Sequence, residues 1–173
     1  MHKHSTRIAL PEDAPFISLL GRVTFSETFG HLFRDPQDLK SYLDATFSVP
    51  KIESSLSKAN NVFWISFVDR LPVGYAKLKL ESPSDFIEST KICQLQKIYV
   101  LQDFLSLKIG LELQSQLLEK AKALGYQDIW LSVLDENERA KQFYLKNGFE
   151  KIGEHEFRIG KERFDFIAMH NTL

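Results

Sequence analysis

Between Ile92 and Val133 the hydrophobic period changes twice, and that change limits the folds open to this chain. Ile92 to Val100 reads as a strand. Leu107 to Leu124 reads as a strong amphipathic helix, with Gly110, Leu113, Leu117, Ala121 and Leu124 on one stripe. Gly125 is placed to cap it, since a helix end favours a residue that turns left-handed without strain. Asp128 to Val133 is a second, buried strand. A strand, a helix and a strand in that order form a β-α-β unit. Hairpin candidates flank it. Val62 to Val68 is a nearly continuous apolar run rich in β formers, expected to be buried on both faces. Asp69 to Pro72 is read as a turn, and Val73 to Leu80 as the returning strand. Phe149 to Phe157 and Arg163 to Met169 read as a final antiparallel pair.

The first sixty residues are mostly helical in pattern. Thr6 to Leu10 is a short strand, and Pro11-Glu12-Asp13 suits the first turn of a helix. Phe16, Leu19, Leu20 and Val23 make its apolar stripe. Asp35-Pro36 restarts a helix with Leu39, Tyr42, Leu43 and Phe47 in phase. Pro50 ends it, and residues 51–59 read as one more short helix. Glu81 to Ser89 is a polar, acidic connection, and Asn137 to Lys146 a helix with Ala140, Phe143 and Tyr144 inward. The order β-α-α-(α)-β-β-β-α-β-α-β-β implies an α+β fold: a mixed central sheet with helices on both faces.

Composition narrows the class further. The 173 residues suit a single domain over 1–173. With 22 Lys+Arg against 23 Asp+Glu, the formal charge of −1 offers no basic excess for nucleic acid. No apolar run approaches the ~18 residues of a membrane helix, and no apolar segment follows the basic start, so neither a membrane nor a secretory route is expected. The lone cysteine, Cys93, forms no intrachain disulfide and fits a reducing cytoplasm. It reads as a small buried hydrophobe. His2 and His4 read as a solvated terminus, and His31, His155 and His170 lack metal-ligand spacing, so no metal is expected.

The chemistry concentrates after the second strand of the β-α-β unit. Asp135 to Phe149 carries the pattern N-x-x-A-x-x-F-Y-x-x-x-G-F on Asn137, Ala140, Phe143, Tyr144, Gly148 and Phe149. With the element order, Ile98-Tyr99-Val100 and the closing Gly153, Phe157, Gly160, Asp165 and Met169, this resembles the GNAT superfamily of acyl-CoA-dependent N-acyltransferases over nearly the whole chain. Thr24-Phe25-Ser26-Glu27-Thr28-Phe29 with Tyr42-Leu43, and Val73 to Leu78, resemble the branch of bacterial polyamine N-acetyltransferases.

The resemblance implies an acyl-CoA N-acyltransferase (GNAT) fold with acetyl-CoA as co-substrate, lying between splayed parallel strands 92–100 and 128–133. It implies that Ile98, Tyr99 and Val100 pair with the pantetheine. The pyrophosphate would rest on Leu105, Ser106, Leu107, Lys108, Ile109, Gly110 and Leu111, where a helix N-terminus offers free N–H groups. Asn137, near Ala140, would hold the pantetheine or phosphate side; as a residue favoured at helix starts, it would also cap its helix. Lys146 is either a phosphate contact or a solvated lysine. Tyr144 would aim its hydroxyl at the thioester sulfur. A tyrosine near pKa ~10 can protonate a departing thiolate near ~8.5. The attacking amine must be neutral, and a lysine-like amine is only about 1 part in 2,500 neutral at pH 7. A base or water chain is therefore needed. Glu81, Gln94 and Gln96 are the candidates.

One departure stands out. The family loop Arg/Gln-x-x-Gly-x-Gly/Ala aligns with Leu105-Ser106-Leu107-Lys108-Ile109-Gly110, keeping only the last glycine. If the middle position needs glycine, Lys108 hinders the cofactor. If its backbone is ordinary helix, Lys108 fits and its ammonium can pair with phosphate. The expected function is acetyl transfer to a primary amine through a ternary complex. A small amine or polyamine comes first as acceptor, and a protein N-terminus or lysine second. The alternative is a non-catalytic acyl-CoA-binding domain. A homodimer is expected by analogy with the fold.

Overall fold

The computed structural model describes residues 3–173. His2 lies outside the described residues. Seven strands form one sheet in the order β1-β2-β3-β4-β5-β7-β6. They are β1 (His4–Ile8), β2 (Asn61–Val68), β3 (Leu71–Lys79), β4 (Ile92–Val100), β5 (Asp128–Leu134), β6 (Glu150–Ile159) and β7 (Glu162–Thr172). The helices are α1 (Ala14–Phe29), α2 (Pro36–Phe47), α3 (Val49–Leu56), α4 (Ile109–Ala123) and α5 (Glu138–Lys146). All neighbouring strands are antiparallel except β4 and β5. The expected mixed sheet is thus present, with the β-α-β unit at its centre.

Strand alternation splits the core in two. On one face, α4 and α5 pack Leu113, Leu117 and Tyr144 against Trp64, Ala76, Leu95 and Leu131. On the other, α1, α2 and α3 pack Ile17, Leu20, Phe25, Phe47 and Ile52 against Phe63, Ile65 and Tyr75. Leu113, Leu117 and Ala121 are fully buried, and each such leucine stabilises the fold by about 2 kcal/mol. Cys93 is buried as expected, and burial pushes its thiol up to about 12, so it carries no thiolate chemistry.

Several boundaries differ from the sequence reading. The first strand is His4–Ile8 rather than Thr6 to Leu10. Its edge position leaves hydrogen bonding to β2, not apolar content, to set its limits. In α1 the expected stripe is mostly outward: Phe16 is 44% and Leu19 60% exposed, while Leu20 is 2%. The buried face runs instead through Ala14, Ile17, Gly21, Thr24 and Phe25. Gly21 is there because a Cβ would sit 2.3 Å from the Phe47 ring. Pro50 does not end α2. It lies in the first turn of α3, where its missing N–H has no partner to lose. The β2–β3 turn is only Asp69-Arg70, with φ of 49° and 73°, the two-residue geometry that matches strand twist. Leu71 and Pro72 belong to β3, Pro72 opposite Phe67 where the register shifts. The long helix starts at Ile109 because residues Gln102–Leu107 form 3-10 turns. Leu124, expected on its buried stripe, is 46% exposed past the helix end. Gly125 does cap it, at φ 85°.

Asp13 ties the first strand to the first helix. Its carboxylate, 2% exposed, accepts hydrogen bonds from Arg7 Nη1 (2.6 Å), Arg7 Nη2 (2.9 Å) and Leu10 N (2.7 Å). The Arg7 hydrogen bonds hold the carboxyl below its ordinary pKa against the opposing pull of burial. Stability from a depressed carboxyl is present above the unfolded pKa and is lost as pH falls through the folded one. Asp13→Asn is expected to lose about 2 kcal/mol at neutral pH, since Arg7 is part-solvated. The difference from wild type should close below the folded pKa. Urea unfolding at neutral and strongly acidic pH measures both.

Candidate active site

The parallel ladder between β4 and β5 is short. It pairs Ile92 with Asp128, Cys93 with Ile129 and Gln94 with Trp130, then stops. Two causes act together. The β3–β4 register shifts between Lys77 and Leu78, so Gln96 is bulged out of the pairing, and a bulge bends and twists its strand. Meanwhile β5 is paired along its whole length to β7, which holds it away. The strands part, and a groove of about 690 Å³ opens between their C-terminal ends.

Residues expected from sequence meet there. Ile98, Tyr99 and Val100 of β4, Leu105, Lys108, Gly110 and Leu111 of the loop and α4, and Asn137, Ala140 and Tyr144 of α5 line the groove. Ser106, Leu107, Ile109 and Lys146 do not. Ile109 is fully buried in the core beneath α4, and Ser106, Leu107 and Lys146 are exposed. Glu81, Gln94 and Gln96 are also outside the lining. Glu81 and Gln94 sit toward the closed end of the ladder, where Gln94 Oε1 accepts from Ser82 Oγ at 3.0 Å. Asn137 caps α5, its Oδ1 accepting from Ala140 N at 3.1 Å. That leaves its Nδ2 for a ligand.

Tyr144 is 9% exposed, with edge-on contacts to Phe143 (5.3 Å) and Phe149 (5.6 Å). Burial raises its pKa, so the hydroxyl keeps its proton. Tyr99 is raised in the same way.

Sequence reasoning missed the third wall. Thr24, Glu27, Thr28 and His31 project into the groove from α1 and the turn after it. Their spacing of i, i+3, i+4 and i+7 is one helical face, a polar stripe in an apolar helix, and that was the available signal. Glu27 Oε2 accepts from Gln102 N at 3.2 Å, which ties α1 to the loop before α4. Arg139 also lines the groove. It and Lys108 are without an ion pair among the described residues, so two cations stand where Leu105 lacks one.

With this geometry in place, comparison with known proteins decides the family. A model of the acetyltransferase (GNAT) family matches residues 26–149. The chain belongs to that family. This GNAT protein is an acyl-CoA-dependent N-acetyltransferase with acetyl-CoA as co-substrate. It is 28% identical over 157 residues to an uncharacterized N-acetyltransferase in the pepI 3′ region of Lactobacillus delbrueckii subsp. lactis, covering 90% of each chain. An uncharacterized N-acetyltransferase of Mycobacterium bovis is 29% identical over 138 residues, covering 80% of this chain and 84% of that one. In fold it resembles the PaiA N-acetyltransferase of Thermoplasma acidophilum, solved with coenzyme A. That likeness has a TM-score of 0.76, at 21% identity and 99% coverage of both chains.

The acetyltransferase loop resolves the two readings of Lys108. Lys108 has φ 59° and ψ 18°, the left-handed region, and not ordinary helix. The position has the backbone that glycine adopts freely, and lysine takes it at a cost of about 1 kcal/mol. The glycine-like path of the loop therefore survives without the glycine. Lys108, Gly110 and Leu111 at the start of α4 line the groove, with Leu111 N already satisfied by Lys108 O at 3.1 Å. Lys108→Gly is expected to stabilise the fold by up to about 1 kcal/mol, the gain in φ being partly offset by unfolded-state entropy. Lys108→Val should destabilise it, because a β-branched residue is disfavoured there. Acetyl-CoA affinity should hold within a few-fold for the glycine variant and fall for the valine variant. Thermal melts and calorimetric titration read both.

Proposed function

We propose that this chain, as a single domain over residues 1–173, transfers the acetyl group of acetyl-CoA to a primary amine of a small molecule. The transfer is direct, with both substrates bound. Polyamines are the first acceptors to try, on the resemblance of residues 24–29, and protein amines the second. We place the reaction in the cytoplasm, a reading supported by the single buried, unpaired cysteine.

The observation that carries this reading is the position of Tyr144. A buried, protonated phenol lines the groove where β4 and β5 part, facing strand residues with free backbone edges. Acetyl-CoA supplies the activated acyl carbon when bound. The first turn of α4, Lys108 and Arg139 offer donors and positive charge for its phosphates. Ile98 to Val100 offer backbone groups for an extended pantetheine arm. Tyr144 holds its proton at Oη and donates a hydrogen bond toward the departing sulfur. With its pKa raised, complete transfer to a thiolate is uphill, so stabilisation of developing charge is its main contribution. Glu27 and His31, on the wall of α1, are within the groove to take the proton that the amine must lose.

A binding-only role is the second reading. The retained tyrosine and the glycine-like backbone at Lys108 favour the enzyme. Tyr144→Phe separates the two. We expect kcat to fall about 100-fold or more while acetyl-CoA affinity stays within a few-fold. Unchanged kcat in the phenylalanine variant would remove Tyr144 from the reaction.

A further inference from the structure

Two lysines face each other across β3 and β4. The register places Lys77 directly opposite Lys97, on the sheet face covered by α1 and α3. Cross-strand partners have Cβ atoms about 5 Å apart, and like charges there oppose folding. Both side chains are half-buried. Lys97 Nζ lies 5.1 Å from the Phe47 ring centroid and 5.3 Å from that of Tyr99. Lys77 Nζ lies 5.4 Å from the Phe63 ring. The rings hold the ammonium groups but do not neutralise them. Among the described residues neither lysine has a carboxylate partner, and Glu53 of α3 makes no ion pair with them. Lys51, Lys58 and Lys79 add positive potential around Lys77. Burial, with Lys97 beside it, lowers Lys77 to about 8, and burial lowers Lys97 to about 8.

Such a pair opposes folding and has no internal counter-charge, in a chain whose net charge is only −1. An anion from outside would complete it. The coenzyme's phosphates do not fit that role. The start of α4 packs on the opposite face of the sheet, with Ile109 and Leu113 in the other core. Tyr99 is the connection to the reaction: its ring carries the Lys97 ammonium, and Tyr99 is one of the residues that line the groove, next to Ile98 and Val100.

We infer that Lys77 and Lys97 form an anion subsite for the acceptor, so that the amine acetylated here carries a carboxylate or a phosphate. The inference rests on the acetyl-transfer reading above and narrows it. A polyamine would bring a further cation to two ammonium groups, so the acceptor moves away from that class.

Matched amines test this: β-alanine against propylamine, and O-phosphoethanolamine against ethanolamine, with spermidine as the polycation. At saturating acetyl-CoA, at least one anionic amine is expected to exceed its neutral match and spermidine by about tenfold or more in kcat/KM, through KM. Replacing both lysines (Lys77→Met with Lys97→Met) should abolish that preference and leave acetyl-CoA affinity unchanged. Tm should hold or rise, because a repulsive pair is removed. Lys97→Arg, which keeps the charge, should retain the preference. If the double variant does not fold, each single methionine variant should lose part of it. Equal kcat/KM within each wild-type pair, or a preference that survives without the lysines, overturns the subsite and leaves acetyl transfer standing. If no amine turns over, calorimetry on the coenzyme A-loaded chain decides. Lysine-dependent binding of β-alanine or O-phosphoethanolamine upholds the subsite while the acetyl-transfer reading falls; its absence overturns the subsite.

Discussion

The parting of β4 and β5 is the constraint on which the rest of this structure depends. A backbone N–H or C=O must find a partner or water. Past Gln94 and Trp130 the two strands stop satisfying each other. The inner edge of β4 therefore stays polar, extended and open over Ile98, Tyr99 and Val100. A flat, fully paired sheet would have no such edge at its centre. The bulge at Gln96 bends β4 one way, and the unbroken β5–β7 ladder holds β5 the other way. The helices that follow β4 and β5 both begin at the mouth of that gap. Their N-terminal residues, Lys108 and Asn137, consequently reach the same groove.

Two cores hold the gap open from opposite sides. Alternate residues of β4 go to different ones: Ile98 and Val100 pack with α4 and α5, while Tyr99 packs with the aromatic layer under α1 and α2. That layer is tightly built. Phe25 stacks on Phe29 at 4.4 Å, and Phe47 lies against Gly21. Its packing fixes the rotation of α1, and that rotation turns Thr24, Glu27, Thr28 and His31 toward the groove. The hydrogen bond from Gln102 N to Glu27 then links the α1 wall of the groove to the loop before α4. Gly74 lets β3 approach β4, since a Cβ there would meet Tyr99 O at 2.8 Å.

Local rules are broken at several points. Asp69, Arg70, Glu81 and Lys108 are non-glycine residues in left-handed backbone, and Lys77 with Lys97 is a like-charge cross-strand pair. At Asp69 and Arg70 the strand twist across the tight β2–β3 turn imposes that backbone. Lys108 lines the groove, and Lys97 adjoins Ile98, which also lines it; such departures are expected in a protein shaped by binding. At the Asn137 cap local preference and tertiary packing agree.

Much was legible in the chain because it is local. The β-α-β unit shows as a change of period, Gly125 as a helix stop, and Asn137 and Tyr144 as a helix cap and an inward aromatic about two turns further on. Other features were not legible. The apolar pattern of α1 offered two faces, and the one read from spacing, with Phe16 and Leu19, turned outward. Only the fit of Gly21 against Phe47 chose between them. The backbone of Lys108 could not be read, because lysine alone does not ask for positive φ; the junction of 3-10 turns with α4 imposes it. Lys77 and Lys97 are twenty residues apart, and their encounter follows from strand register. Periodicity and capping depend on neighbours within a few residues, so sequence alone determined the elements, their order and the sheet class. Register, the rotation of α1 and the gap between β4 and β5 depend on contacts between distant segments, so only tertiary structure decided which side chains share the groove.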